Sequence, residues 1–401
     1  MAAFFTQLDY VHSFYGLSLV LLNAIAFALY RKHRADMTWL GCRCFTRAAL
    51  APLLVGALTL AACERDAPGS VGAGDESATT VPAGWEAGIA QGAPDRSGRH
   101  ILIKDVPKLI GVPYFSATSR GMRQAAEELG NVTVQTDAPT EARVEWQIQF
   151  IERLLPSKLD VLVVAANDRV KVAPVLSQAL ARGVRVIGYD SDVLETAREF
   201  FVNQAAFADI ASTLVEEMVK QTGPVAEVAI VTSTFTTPNQ ARWIEEMNKY
   251  IGERYPKLKV VAILPSEEDQ GLAVSATEVI LRSYPKVKGI FGISTVAFPG
   301  AAAAVKRAGR CGRIAVVGLS TPNQMRSYME EGCIKSSVLW NAVDLGYATV
   351  YAARALADGA LRPGATELAA GRLGRLTVRG SEIILGPPFV FTLENIGQFN
   401  F

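Results

Sequence analysis

From residue 101 onward the chain repeats one unit, a short unbroken apolar run followed by apolar residues at helical spacing. The runs fall at 101–103, 161–165, 184–189, 228–231, 260–264, 289–293 and 314–319. Between them, Val144, Ile148, Ile151 and Leu155 stand at i, i+4, i+7 and i+11, which places all four on one helical face. Ile210, Leu214 and Met218 recur every four residues, and Ile244, Met247 and Ile251 behave similarly. A strand wetted on one face alternates in polarity, whereas a strand apolar throughout is covered on both faces. Unbroken strands alternating with amphipathic helices therefore predict an α/β fold, with parallel sheets between helices. Roughly 300 residues of this pattern exceed what a single core usually sustains, so two lobes are expected, dividing near "FFVNQA" at 200–205.

The part before residue 101 reads differently. From Met37 a basic region with Arg43 and Arg47 precedes the apolar run 48–60, and the chain then reads "LAAC" at 60–63. A basic start, an apolar stretch of that length and small residues before a cut are the physical requirements for export. Residues 37–63 are accordingly expected to be a signal peptide, and Cys63 a lipid-acylated residue at its end. "LAAC" resembles the lipobox of bacterial lipoproteins. Residues 1–36 contain an apolar stretch at 14–30 followed by the basic cluster 31–34, and have two readings. They are either a further membrane span or an upstream extension ahead of a true start at Met37, and the second is favoured. Residues 64–99, rich in Gly, Ala, Ser, Thr and Pro, are expected to be a flexible tether.

The groups that carry enzyme chemistry are scarce. The three histidines are His12, His33 and His100, none of them beyond the first strand of the body, which removes the commonest general base and metal ligand. No G-x-S-x-G, G-x-x-x-x-G-K-[ST] or strand-linked G-x-G-x-x-G is present. The expectation is no catalytic residue, no metal and no cofactor. A formal net charge of +1 gives no sign of a nucleic-acid partner. Cys311 and Cys333 each precede an apolar run; at the edge of a sheet they would form a disulfide, and otherwise two separate buried thiols.

What remains is a set of polar and aromatic residues where strands end, the place where open parallel sheets bind ligands. These loops hold Lys108, Tyr114 and Phe115, then Asn167, then Asp190 and Asp192 in "RVIGYDSDV", then Asn239 and Gln240, and finally Trp340 and Asn341. Carboxylates and amides pair with vicinal hydroxyls and aromatic faces cover sugar C–H groups, so the mixture suits a small neutral polyol or sugar. Taken singly, each has a structural alternative: Asp190 or Asp192 capping the next segment, Asn239 as a helix N-cap, Trp340 as core.

At these residues the sequence resembles the ribose-type (type I) periplasmic sugar-binding proteins of ABC importers, in their rhamnose-binding and autoinducer-2-binding branch. The resemblance covers about 101–401 and rests on "VPKLIGVPYF", "VVAANDRVKVAPVLSQALARGVRVIGYDSDV", "FFVNQA", "PNQARWIEEM", "FPGAAAAV", "VVGLSTPNQMRSYMEEG", "LWNAVDLGY" and "ENIGQFNF". It implies two Rossmann-like lobes joined by three crossovers, 100–203 with about 341–377 and 204–340 with about 378–401. It implies ligand contacts at Lys108, Asp190, Gln240, Pro299 and Ala301, and ring-stacking aromatics at Tyr114 and Phe115. The autoinducer-2 pattern has an aspartate where this chain has Asn239, and "LWNAVDLGY" together with "AAGRLG" (369–374) is more similar to the rhamnose side. The implied role is a monomeric, lipid-anchored periplasmic protein that hands a rhamnose-like deoxyhexose to an ABC permease. The alternatives are autoinducer-2 uptake, or a receptor presenting ligand to a membrane sensor.

Overall fold

A computed structural model describes residues 81–401. The expected signal peptide, Cys63, residues 1–36 and the expected tether up to residue 80 lie outside the described residues. Among the described residues no helix is long and apolar enough to cross a membrane.

The first lobe is built from β1 (Ile101–Val106), α1 (Pro113–Leu129), β2 (Val132–Thr136), α2 (Val144–Leu154), β3 (Val161–Val164), α3 (Ala173–Ala181), β4 (Arg185–Tyr189) and β5 (Phe200–Asn203). Strands β2, β1, β3, β4 and β5 lie parallel in that order. The unbroken apolar runs are explained by the two faces of this sheet. Val161 and Val163 pack on the side of α1, whereas Leu162 and Val164 pack on the side of Ile151 and Leu176 from α2 and α3. Both faces are dry, so neither parity of residue is polar.

The second lobe follows with α4 (Phe207–Thr222), β6 (Ala226–Thr232), α5 (Pro238–Arg254), β7 (Leu258–Pro265), α6 (Gln270–Ser283), β8 (Val287–Gly292), α7 (Ala297–Arg307), β9 (Ala315–Gly318), α8 (Pro322–Glu330) and β10 (Ser336–Leu339). Its parallel sheet runs β7-β6-β8-β9, and a bridge from Leu319 to Val338 continues it to β10. A disulfide joins Cys311 to Cys333, with Cα atoms 4.4 Å apart. It ties the segments that enter β9 and β10, and closing a loop of 22 residues constrains the unfolded chain by about 3 kcal/mol.

The chain then returns to the first lobe through α9 (Ala342–Ala357), whose nearest neighbour is α1. The two helices touch backbone to backbone at Gly121 and Gly346. A Cβ on either would overlap the carbonyl of Val343 or of Thr118 in the facing helix. Strands β11 (Glu367–Ala369), β12 (Arg375–Arg379) and β13 (Glu382–Ile384) follow, and β13 pairs with β5 to extend the first sheet to eight strands. The last strand, β14 (Phe389–Thr392), pairs with β10 in the second lobe. The chain therefore crosses between lobes three times, after β5, after β10 and after β13. The expected α/β class of two lobes with three crossovers is what the structure has. The third crossing falls after Ile384 rather than near 377, because β12 and β13 are needed to cover the edge of β5.

A second correction concerns the tether. Residues 81–99 lie along the first lobe instead of hanging free: Trp85 packs on Phe200 at 5.4 Å, Gln91 N–H donates to Leu180, and Arg96 pairs with Asp160 at 2.7 Å. Their Gly and Pro content permits an extended path, and the backbone bonds and a few side chains fix it.

Asp105 is fully buried in β1, where burial pushes its carboxyl up to about 7 despite a hydrogen bond from the Thr136 hydroxyl at 2.9 Å. The folded form thus holds a proton that the unfolded chain releases near 3.8. Stability from this site is complete below the unfolded value and declines as pH rises toward 7, by on the order of 4 kcal/mol in all. Replacing the acid by its neutral isostere, Asp105→Asn, is expected to raise the denaturation midpoint at pH 8 and leave it nearly unchanged at pH 4. A midpoint difference that is the same at both pH values contradicts this assignment.

Candidate functional site

The C-terminal ends of both parallel sheets converge on one cleft with about 420 Å³ of empty space, its open mouth included. Its lining comes from the strand-end segments that the sequence pattern singles out. Lys108 follows β1, Tyr114 and Phe115 open α1, and Asp190 is the first residue beyond β4. From the second lobe, Asn239 and Gln240 open α5, and Trp340 follows β10.

Lys108 is the meeting point. Its ammonium lies 3.4 Å from Asp190 Oδ2 in its own lobe and donates to Asn239 Oδ1 across the cleft at 3.3 Å. All three residues are buried. An isolated ammonium in such surroundings carries a large desolvation cost, which the carboxylate and the amide oxygen offset. Asn167 holds the backbone behind it, its side-chain amide donating to the Lys108 carbonyl at 2.9 Å. Gln147, buried on α2, fixes that loop in turn through Pro107, Ala165 and Asn167.

Asp190 has a φ of 58°, left-handed for a residue with a Cβ. Such a conformation costs about 1 kcal/mol or more and persists only where surrounding bonds impose it. Here the Tyr114 hydroxyl donates to Asp190 Oδ1 at 2.8 Å, and the Trp340 indole N–H donates to the same hydroxyl at 2.9 Å. Burial, and then the Asp190 charge, hold the Tyr114 phenol well above its ordinary value, so it remains a donor. Tyr114 meets Phe115 and Trp340 edge to face, and Trp340 leans on Trp243 at 5.9 Å. These rings form one aromatic wall, and Leu109, Val112, Val296, Leu319 and Leu339 complete the apolar lining.

The orientation of Gln240 follows from its partners. A backbone N–H can only donate, so the atom facing Ser233 N at 2.6 Å is Oε1, which also accepts from Thr232 Oγ1 at 2.7 Å. Its NH2 group therefore turns toward Glu268, 3.2 Å away.

Not every expected residue lines the cleft. Asn167 supports Lys108 from behind. Pro299 and Ala301 are buried within α7, and Ser294, Thr295 and Val296, one turn earlier, take the lining position. Asn341 is the N-cap of α9, its Oδ1 accepting from Val343 N and Asp344 N at 3.0 and 3.3 Å. Asp192 grips buried Arg198 through both oxygens at 2.7 and 2.8 Å, and Arg198 reaches Ser381 Oγ at 2.7 Å. Glu268 and Trp243 line the cleft without having been anticipated. Trp243 stands three residues after Gln240, the spacing at which a helix brings side chains to one face. Among the described residues no group of His, Cys, Asp and Glu is arranged to hold a metal.

Comparison with known proteins places these features. The model of the periplasmic binding protein domain matches residues 105–361. The D-apiose import binding protein of Actinobacillus succinogenes is 27% identical over 258 residues, 63% of this chain and 80% of that protein. An ABC transporter solute-binding protein from Clostridium phytofermentas with bound L-rhamnose superposes with a TM-score of 0.72 at 28% identity, covering 75% of this chain and 98% of its own. LsrB from Clostridium saccharobutylicum in complex with AI-2 also gives 0.72, at 24% identity and with 75% and 100% covered, a likeness of fold.

The two aspartates after β4 are expected to separate on mutation. Asp190→Ala should remove measurable sugar binding while the protein still folds, because Lys108 at the cleft can be rehydrated. Asp192→Ala should leave affinity within a few-fold and lower stability by about 3 kcal/mol, by stranding buried Arg198. Titration calorimetry and thermal melting of both variants decide, and equal losses of affinity would contradict the division.

Proposed function

This chain belongs to the periplasmic binding protein domain family, and we propose that it closes its two lobes around a rhamnose-like deoxyhexose and delivers it to an ABC permease. At the coarser level it is a periplasmic sugar-binding protein of an ABC importer, a binding protein rather than an enzyme.

The observation that carries the finer reading is the facing of two polar sets across one aromatic cleft. Lys108 and Asp190 come from the first lobe, Asn239 and Gln240 from the second, and Lys108 reaches Asn239 directly. A ring whose hydroxyls bond both sets stabilises the closed arrangement by its differential affinity for that arrangement, which is what drives closure. Tyr114, Phe115, Trp243 and Trp340 suit the C–H faces of a pyranose, and the aliphatic residues around them suit the methyl group of a deoxyhexose. The L-rhamnose-bound neighbour supports the same choice. Asn239, where the autoinducer-2 pattern has an aspartate, removes one charge and so disfavours a ligand selected by that charge. Cys63 is proposed as the lipid anchor, supported by the "LAAC" that ends the leader.

Both parts have direct readouts. L-rhamnose should raise the melting temperature and give a calorimetric isotherm more favourable than those of D-allose, D-apiose or AI-2. In cells, Cys63→Ser should move the protein out of the membrane fraction. A solute of another class that shifts melting while no sugar does so overturns the sugar assignment, and an unchanged membrane fraction overturns the anchor.

A further inference from the structure

The cleft lining contains one cationic side chain, Lys108, and two carboxylates, Asp190 and Glu268. Lys108 is committed to Asp190. Glu268 is left with no cation in the lining, so the site carries an excess of one formal negative charge, located at its second-lobe end.

Glu268 is held there at conformational cost. Both Glu267 and Glu268 have left-handed backbones, with φ of 51° and 54°. Two consecutive residues with side chains in that region are disfavoured by roughly 1–2 kcal/mol each. The turn is nevertheless tied on every side. Ser266 N–H donates to Thr232 and Ser233 carbonyls at 2.8 and 2.9 Å, Glu267 N–H to the Ser233 carbonyl at 2.8 Å, and Asp269 N–H to the Ser266 carbonyl at 2.8 Å. The Ser266 hydroxyl adds a bond to Thr232 O at 2.9 Å, and Asp269 caps α6 through Leu272 N at 2.7 Å. The half-buried Glu268 side chain borders the cleft, where its Oε1 accepts from Gln240 Nε2 at 3.2 Å. Since Gln240 Oε1 is already occupied by two donors, its amide can offer the cleft only N–H. The second lobe thus presents a donor and a carboxylate acceptor side by side, next to Trp243, whose buried indole N–H has no partner among the described residues.

We propose that Glu268 is a specificity-determining ligand contact, which with the Gln240 amide binds adjacent hydroxyls of a neutral sugar and rejects sugars bearing a carboxylate or phosphate at that end. A hydroxyl pair answers the couple fully, one oxygen accepting from Gln240 and the other donating to Glu268. An anionic substituent would meet the Glu268 carboxylate, and the one cation of the lining, Lys108, is already committed to Asp190. This inference rests on the sugar-binding reading given above and narrows it to neutral sugars.

The test titrates the full chain and its Glu268→Gln and Glu268→Ala variants with L-rhamnose, D-allose and D-apiose, and with D-glucuronate and D-galacturonate. The unaltered protein should bind at least one neutral sugar and neither uronate. Glu268→Gln should weaken the neutral sugar about tenfold, in line with loss of a charge-assisted hydrogen bond, and Glu268→Ala should weaken it more. Glu268→Gln should also narrow the gap between neutral sugar and uronate by about tenfold, a change that repositioning of Gln240 alone would not produce. Melting curves without ligand serve as the folding control. If no neutral sugar binds the unaltered protein, the sugar-binding reading falls and takes this inference with it. If a neutral sugar binds and Glu268→Gln alters neither its affinity nor the exclusion of uronates, this inference alone is overturned.

Discussion

A buried ammonium that must not be left without partners organises this molecule. Lys108 stands where β1 ends, and its charge is answered by Asp190 from its own lobe and by the Asn239 amide from the other. Removing either partner leaves that charge to be answered by water entering the cleft, at the expense of the contact that joins the lobes. The two lobes are thus joined at the floor of the cleft by a polar contact, in addition to the three crossings of the chain. On the proposed reading, a ligand hydroxyl placed there would compete for these groups and so give a small neutral molecule its differential affinity for one lobe arrangement.

The remaining structure keeps those partners in place. Asp190 accepts a disfavoured backbone because Tyr114 and Trp340 form a chain of hydrogen bonds that ends on its carboxylate. Tyr114 is set by α1, and α1 is set by α9, which it touches through Gly121 and Gly346. Helix α9 begins directly after Trp340, capped by Asn341, so the second crossing, the aromatic wall and the strained aspartate form one connected assembly. Asp192, two residues from the site, instead fastens Arg198 and Ser381, holding the hairpin of β12 and β13 against the first sheet. The two carboxylates therefore differ in place: Asp190 lines the cleft, and Asp192 fastens the fold.

Much of this was legible in the sequence, for physical reasons that also mark where legibility ends. Unbroken apolar runs declare strands covered on both faces, and β1, β3, β4 and β6 to β9 sit at or next to the runs that predict them. Lys108 and Asp190 stand out because polar residues immediately after such runs lie at the sheet's ligand-binding edge. The short strands β11 to β13 give no such run, β12 alternating Arg375, Thr377 and Arg379 with apolar residues, so the sequence pattern sets the third crossing too early. Asn341 caps a helix and yet reads as a ligand residue in the sequence, since a cap and a ligand contact use the same residue types. Pro299 and Ala301 miss the lining by about one helical turn, a register that composition does not encode. Glu268 sits in "SEED", which reads as solvated loop, but in the structure it is half-buried at the cleft, in a turn where Glu267 and Glu268 are both left-handed. Residues 81–99 lack an apolar period, yet backbone hydrogen bonds, which leave no trace in composition, fix them to the first lobe.

The central claim is that a sugar joins the lobes through Lys108 and its partners. Val170 and Leu272 are exposed, one in each lobe. With each replaced by cysteine and carrying a spin label, the distance distribution between them reports lobe arrangement. The account predicts that L-rhamnose shifts this distribution to one short, narrow population, and that Lys108→Met abolishes the shift. Calorimetric binding of the sugar with an unchanged distance distribution would contradict it.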